Sequence, residues 1–141
     1  MSLRWDETMV LGIAEIDEQH KTIIEKFTEL SEAFQAGKGT DEIPEMIAFL
    51  NDYAEMHFAL EDKYMLKYVY PKIDVQRKEH SEFTHDVRAL RERMQREGVS
   101  REISIETSGK LIRWIIQHIS SHDREMVAYV IAHMAAEKQQ A

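Results

Sequence analysis

The sequence contains no cysteine, only two prolines and only five glycines among its 141 residues. Without cysteine the chain forms no disulfide and offers no thiolate ligand. Any metal site must therefore use nitrogen and oxygen donors, which suit iron, manganese or zinc better than copper(I) or an iron–sulfur cluster. The scarcity of proline and glycine favours a few long helices over many turns.

Positive charge is also scarce, because 18 lysine and arginine residues stand against 26 acidic ones and give a net charge of −8. No basic patch is evident, which argues against nucleic acid or an anionic membrane as a partner. The N-terminal residues include Trp5, Asp6 and Glu7 and lack the apolar run of a signal peptide or a membrane span. We therefore expect no nucleic-acid partner, no membrane partner and a cytoplasmic location.

The length and the composition are those of one globular domain, with 43% hydrophobic and 31% charged residues. Four elements of about twenty residues are enough to close a core at this size. We predict a single domain over residues 1–141, with an N-terminal arm over 1–16, a helical bundle over 17–120 and a C-terminal segment over 121–141.

Four segments place apolar side chains at the spacing of an amphipathic helix. Asp17 and Ser100 are the predicted N-caps of the first and the fourth. The predicted helices span residues 17 to about 36, 40 or 41 to about 67, about 73 to 97, and 100 to about 120. Residues 123 to about 138 form a short further helix or a continuation. Four one-sided helices with short connections predict an all-α, up-down-up-down four-helix bundle.

Each of the four apolar faces carries a nitrogen or oxygen donor that is expected to point into the core. These donors are His20, His57 with Glu61, Gln76 with His80, and His118. Side chains four residues apart on a helix lie one above the other, so His57 and Glu61 share a face. A single such histidine is explained well enough by a hydrogen bond in the core. Four of them on four faces favour a metal ion, which accepts neutral nitrogen and compensates anionic oxygen.

Several motifs with specific spacing accompany these donors. They are Trp5 with Gly12-Ile13, Ile16-Asp17-Glu18-Gln19-His20-Lys21, His57-x-x-x-Glu61, Tyr70-Pro71 followed by His80 and Phe83, and Trp114-Ile115-Ile116-Gln117-His118 with Asp123 five residues on. Together they resemble the hemerythrin family, in particular its single-domain bacterial members, over nearly the whole chain.

This resemblance implies a non-haem di-iron centre that binds O2, with an oxo or hydroxo group between two iron ions. His20 and His57 would hold one iron, and His80, His118 and residue 76 the other. Glu61 and Asp123 would bridge the two. The implied lining of the O2 pocket is Ile23, Phe58, Met65, Trp114 and Ile115. The implied role is storage, delivery or sensing of O2 or a related small ligand, with an electron donor or an O2-using enzyme as a further partner.

Residue 76 departs from the family pattern, because Gln76 stands where the family has histidine. A neutral amide is a weaker ligand than imidazole, or stays unbound. We expect two metal ions to bind, with Gln76 as a weak or outer ligand. The substitution keeps alternatives open: an oxidase-like or peroxidase-like protein, one that reacts with peroxide or NO, an iron store, or a bundle that has lost its function.

The position of Asp123 is a second departure from simple helical geometry. Five residues beyond His118 is about 140° around a regular helix, on the wrong side. Asp123 reaches the centre only if Ser120-Ser121 form a wider turn, as π-helical insertions do. On a regular helix His122 is the better-aligned residue. Tyr53 or Tyr64 is expected to hydrogen-bond a ligand histidine.

Overall fold

The computed structural model of the protein describes residues 4–37 and 42–140. Its α-helices are α1 (Ala14–Gln35), α2 (Glu42–Lys67), α3 (Ile73–Glu97), α4 (Arg101–His118) and α5 (Arg124–Gln140). These two ranges contain no strand, and none of their helices is long and apolar enough to cross a bilayer. Helices α1 to α4 form the predicted four-helix bundle, in which each helix packs against its two neighbours and α4 closes against α1.

Helix α5 continues the rod that α4 begins. Five residues of π-helix, Ile119–Asp123, join the two, and α5 then runs for 17 residues. The C-terminal segment is therefore a long continuation and not a separate short helix. No loop interrupts the chain at residues 120 and 121, because both belong to the π-helical turn.

The predicted N-cap of the first helix is wrong. Helix α1 begins at Ala14, so the arm ends at Ile13 and Asp17 lies inside the first turn. The carboxylate of Asp17 accepts hydrogen bonds from the backbone N–H groups of Leu11 at 2.8 Å and Gly12 at 3.1 Å. Asp17 thus fastens the arm, which also contains a short 3-10 helix over Glu7–Met9.

The other predicted helix ends agree with the structure wherever it describes them. Helix α2 ends at Lys67, and α3 ends before Gly98, whose φ is +79°. The hydroxyl of Ser100 caps α4 by accepting a hydrogen bond from the N–H of Ile103 at 3.2 Å. The start of α2, predicted at residue 40 or 41, lies outside the described residues.

Two clusters of buried apolar side chains fill the bundle on either side of a polar layer. The larger cluster includes Ile23, Ile24, Phe27, Phe58, Phe83, Ile115 and Ile119. The smaller cluster is formed by Ile13, Ile16, Met65, Tyr70, Met126, Val127 and Val130. On α1, His20 lies between Ile16 of the smaller cluster and Ile23 of the larger one. The polar layer is therefore enclosed by apolar side chains along the bundle axis.

Candidate metal centre

Six potential ligands converge in the polar layer, at least one from every helix of the bundle. They are His20, His57, Glu61, His80, His118 and Asp123. Five of these side chains are at most 1% exposed, and His80 is 7% exposed. They form two groups, within each of which one ligand atom per residue lies within 4.8 Å of all the others. The first group is His20, His57, Glu61 and Asp123, and the second is His80, His118, Glu61 and Asp123.

The two carboxylates connect the two groups. Glu61 Oε1 lies 3.4 Å from His57 Nε2 and 3.0 Å from His80 Nε2, while Glu61 Oε2 lies 3.6 Å from His20 Nε2. Asp123 Oδ2 lies 3.0 Å from His20 Nε2, and its Oδ1 lies 3.0 Å from His118 Nε2. Each carboxylate therefore faces histidines of both groups, as a bridging ligand must.

The centre contains buried polar atoms without hydrogen-bond partners in the described ranges 4–37 and 42–140. They include Nε2 of all four histidines, both carboxylate oxygens of Glu61 and Oδ2 of Asp123. Buried polar atoms in folded proteins are normally paired, and an unpaired one costs about 1–3 kcal/mol. Imidazole nitrogen and carboxylate oxygen are donors that non-haem iron accepts. The orphaned atoms thus fit two metal ions, one in each group.

The charges inside the centre are set by burial and by the two carboxylates. Burial lowers the pKa of His57 to about 4, so this imidazole is neutral. For His20, burial also favours the neutral form, but the adjacent carboxylates of Asp123 and Glu61 outweigh it and raise the pKa to about 9. Burial favours the protonated form of Asp123, but His118 and His20 hold the pKa of that carboxyl well below its usual range. Without metal, a protonated His20 therefore compensates buried carboxylates.

Asp123 reaches the centre through the π-helical segment Ile119–Asp123, which is the wider turn predicted at Ser120-Ser121. The segment is braced by the hydroxyls of Ser120 and Ser121, which donate to the backbone carbonyls of Ile116 at 2.6 Å and Gln117 at 2.5 Å. The wider turn directs the Asp123 side chain into the core, where it is completely buried.

His122 is not brought into the centre. It is only half-buried, and its Nε2 lies 3.5 Å from Glu79 Oε1 at the edge of the bundle. His85, predicted to face solvent, is exposed.

Gln76 lies inside the polar layer, as predicted, with 1% exposure. Its side-chain Nε2 donates a hydrogen bond to Asp123 Oδ1 at 2.9 Å. Its Oε1 is buried without a hydrogen-bond partner among the described residues. Gln76 is thus in contact with a carboxylate of the centre.

Two residues that support ligand histidines were not found from the sequence. The Nδ1–H of His57 donates to Gln19 Oε1 at 2.8 Å, which leaves the lone pair on Nε2 to face the centre. Glu79 Oε2 lies 3.5 Å from Nδ1 of His118. Only the packing of α1 on α2 and of α3 on α4 brings these pairs together, so no local motif signals them.

The tyrosines predicted for this supporting role have other partners. The hydroxyl of Tyr64 donates to Glu15, and the ring of Tyr53 stacks on Phe49 with centroids 5.7 Å apart. The expectation that Tyr64 hydrogen-bonds a ligand histidine is therefore wrong.

The five residues predicted to line an O2 pocket are divided between the two apolar clusters. Ile23, Phe58 and Ile115 belong to the larger cluster, and Trp114 packs against it. Met65 belongs to the smaller cluster, on the other side of the polar layer. Two of the aromatic rings cover ligands directly: Phe58 stacks on His80 with centroids 3.9 Å apart, and Trp114 stacks on His118 at 4.7 Å.

Two buried groups of histidines that share two carboxylates lie at the centre of this four-helix bundle. This arrangement defines a class of proteins, the helical bundles with a carboxylate-linked dinuclear metal site. Comparison with known proteins narrows this class. The sequence model of the family described as "Hemerythrin HHE cation binding domain" matches residues 11–137. The chain belongs to the hemerythrin family, whose members bind two non-haem iron ions, and is a protein of the non-haem di-iron, oxygen-binding type.

Individual relatives agree with this assignment. The chain is 36% identical to the bacteriohemerythrin of Pseudomonas aeruginosa (strain LESB58) over 121 residues, which are 86% of this chain and 76% of that protein. It is 33% identical to the bacteriohemerythrin of Stenotrophomonas maltophilia (strain R551-3) over 132 residues, which are 94% of this chain and 84% of that protein. A crystal structure of a hemerythrin point mutant has the same fold, with a TM-score of 0.82 over 92% of this chain and 98% of the other at 23% identity.

Proposed function

We propose that this chain binds two iron ions in the polar layer and binds O2 at that centre, as a protein of O2 storage, delivery or sensing. His20 and His57 hold the first ion, His80 and His118 hold the second, and Glu61 and Asp123 bridge both. Gln76 is a weak or outer ligand beside Asp123. The observation that carries the proposal is that both buried carboxylates face histidines of both groups.

The protein around the centre excludes water from it and orients the ligand side chains. The bound irons would supply the redox chemistry that O2 binding requires. Ile23, Phe58, Ile115 and Trp114 form an apolar wall on one side of the polar layer. A wall with few proton donors limits the access of water and protons to the bound ligand, which favours reversible binding over oxidation of the irons. Gln19 holds His57 in the tautomer that presents Nε2.

One observation favours a second candidate, an enzyme that uses the same centre to consume O2, peroxide or an NO-related oxidant. The third-helix position that the family fills with a ligand histidine holds Gln76, whose Oε1 has no hydrogen-bond partner in the part of the chain that the structure describes. A neutral amide donates less electron density to a metal than imidazole does. The iron next to His80 and His118 is then less shielded from exogenous oxidants. The further partner that we propose is an O2-using enzyme for delivery, or an electron donor for turnover.

The absorption spectrum of the iron-loaded protein separates these candidates. We expect a visible band that appears with O2 and disappears under vacuum. Rapid irreversible oxidation supports the enzyme, and iron that loads without any O2-dependent change supports an iron store. The variant Glu61→Gln should lose the iron and the band, because it removes a buried bridging carboxylate. The matched control Glu82→Gln changes an exposed residue of α3 and should keep both.

A further inference from the structure

The amide of Gln76 has one possible orientation. Its Nε2 lies 2.9 Å from Asp123 Oδ1 and 3.5 Å from the backbone carbonyl oxygen of His122. A reversed amide would place its oxygen against these two acceptors, so the nitrogen must face them. An amide nitrogen is a hydrogen-bond donor and offers no lone pair to a metal. The contact of Gln76 with Asp123 is therefore a hydrogen bond to a bridging residue and not ligation through nitrogen.

The other amide atom, Oε1 of Gln76, is buried and lacks a hydrogen-bond partner among the described residues. Because Oε1 and Nε2 share one carbon atom, Oε1 lies in the same immediate surroundings as the Asp123 carboxylate. A buried acceptor of this kind calls for a donor. A small anion that carries an O–H group, held at the neighbouring ion, supplies one without displacing any side chain of the centre.

The side of the centre next to His80 is the one closest to solvent. His80 is 7% exposed, whereas the other five ligand side chains are at most 1% exposed. His80 and Phe58 line a surface cavity of about 430 Å³, together with Glu55, Ser81, Thr84, His85 and Arg88. The Phe58 ring, whose centroid lies 3.9 Å from that of the His80 ring, covers one face of this ligand. This half of the centre therefore lies nearest to the protein surface.

We propose that Gln76 leaves an exchangeable coordination position for a small anion on the ion held by His80 and His118. This inference rests on the proposed di-iron function. Each ion then has two imidazoles and a share of the same two carboxylates, so that the two ions are equivalent in protein ligands. Non-haem iron with few protein ligands binds small molecules at its open positions. The centre thus accepts one exogenous anion on each ion.

Azide titration of the oxidised, iron-loaded protein tests this inference. Calorimetry and visible absorption count the azide bound, and metal analysis of the same samples counts the iron. We expect about two azide ions per chain for the wild-type protein and about one for Gln76→His, in which imidazole fills the position. Gln76→Leu, similar in size but unable to ligate or hydrogen-bond, should still bind about two.

Two outcomes would overturn the inference while the irons remain bound. One azide in the wild type that becomes two in Gln76→Leu would mean that Oε1 itself ligates the ion. Equal azide stoichiometry in the wild type and Gln76→His would mean that residue 76 does not control the position. Fewer than two irons in the wild type would instead contradict the proposed function, and the iron analysis reports that separately. The comparison of wild type with Gln76→Leu stands even if Gln76→His loads iron poorly.

Discussion

Glu61 and Asp123 belong to both groups of candidate ligands, so both halves of the centre need them. Both carboxylates are completely buried, and burying an anion is costly unless a cation compensates it. In the metal-free protein His20 provides that cation, since the two carboxylates hold its pKa at about 9. When metal binds, the ions take over this role and His20 must give up its proton. Glu61, Asp123 and His20 thus form one site that is stable in two charge states, without metal and with it.

Gln19 is predicted to control metal affinity although it is no ligand. In Gln19→Leu the Nδ1–H of His57 loses its acceptor, and the imidazole is no longer held with Nε2 toward the centre. Loss of such a supporting hydrogen bond typically lowers metal affinity about 10-fold to 100-fold. Competition with a coloured chelator measures the change. Gln95→Leu, at an exposed position of α3, is the control and should bind iron like the wild type. Equal affinities for the two variants would contradict the role of Gln19.

The metal-free protein should lose stability as the pH rises. The pKa of His20 is about 9 in the folded chain against 6.5 as its ordinary value, because Asp123 and Glu61 outweigh the effect of burial. A raised pKa contributes stability that is fully present below pH 6.5 and is lost as the pH rises through about 9. The pKa of His118 is also raised, which adds a contribution of the same sign.

Urea unfolding of the chelator-treated chain between pH 6.5 and pH 9.5 measures this dependence. In His20→Gln the slope should be smaller, because the titrating imidazole is absent. A free energy of unfolding that stays constant or increases over this range in the wild type would show that His20 is not protonated against the carboxylates.

At the scale of the elements, the π-helical segment is one residue longer than the α-helical turn it replaces. Deleting Ser120 should convert it to a regular α-helix and place the aspartate four residues after His118. Glu61 already has this spacing from His57, and there the two side chains lie 3.4 Å apart. The residues of α5 also keep their buried faces in this variant. We therefore expect the deletion to retain the fold and iron binding.

Deleting Gln117 is the matched control for the Ser120 variant, since it removes an exposed residue from regular α-helix. It rotates His118 by about 100° relative to the preceding turns of α4 and should abolish iron binding at the second group. Metal analysis and thermal unfolding compare the two deletions. Equal damage from both would mean that the π-helical turn is not a removable insertion.

The N-terminal arm is a second element whose backbone path can be tested through the free energy of unfolding. Gly12 has a φ of +117°, and a Cβ there would lie 2.8 Å from Cδ1 of Ile131. Gly37 has a φ of +64° with open space around it, a conformation that L-residues adopt at a cost of about 1–2 kcal/mol. Gly12→Ala should therefore lower the free energy of unfolding by more than Gly37→Ala does. Chemical denaturation of the two variants tests this, and a smaller effect at Gly12 would contradict the described path of the arm.

At the scale of the whole molecule, the pattern of apolar residues was enough to predict the bundle and most helix ends. Five of the six candidate ligands were predicted from their core-facing positions on separate helices. Asp123 was predicted only from the family resemblance, because a regular helix would place it on the wrong side. Asp17 was assigned wrongly because a side chain that caps a helix binds free N–H groups of a loop equally well. The pairing of Gln19 with His57 spans 38 residues and depends on helix packing, which no local pattern shows. Met65 lies in a different apolar cluster from the other four residues predicted to line the O2 pocket. This separation also depends on how the helices pack, which no local pattern shows.

The central claim is that four imidazoles and two carboxylates from separate helices hold two metal ions in one buried layer. Metal analysis of the chain after anaerobic loading with ferrous iron and removal of excess tests it most directly. The structure predicts about two iron ions per chain in the wild type and a loss of both in the double variant Glu61→Gln, Asp123→Asn. A wild-type chain that retains no iron, or a double variant that still retains two, would contradict it.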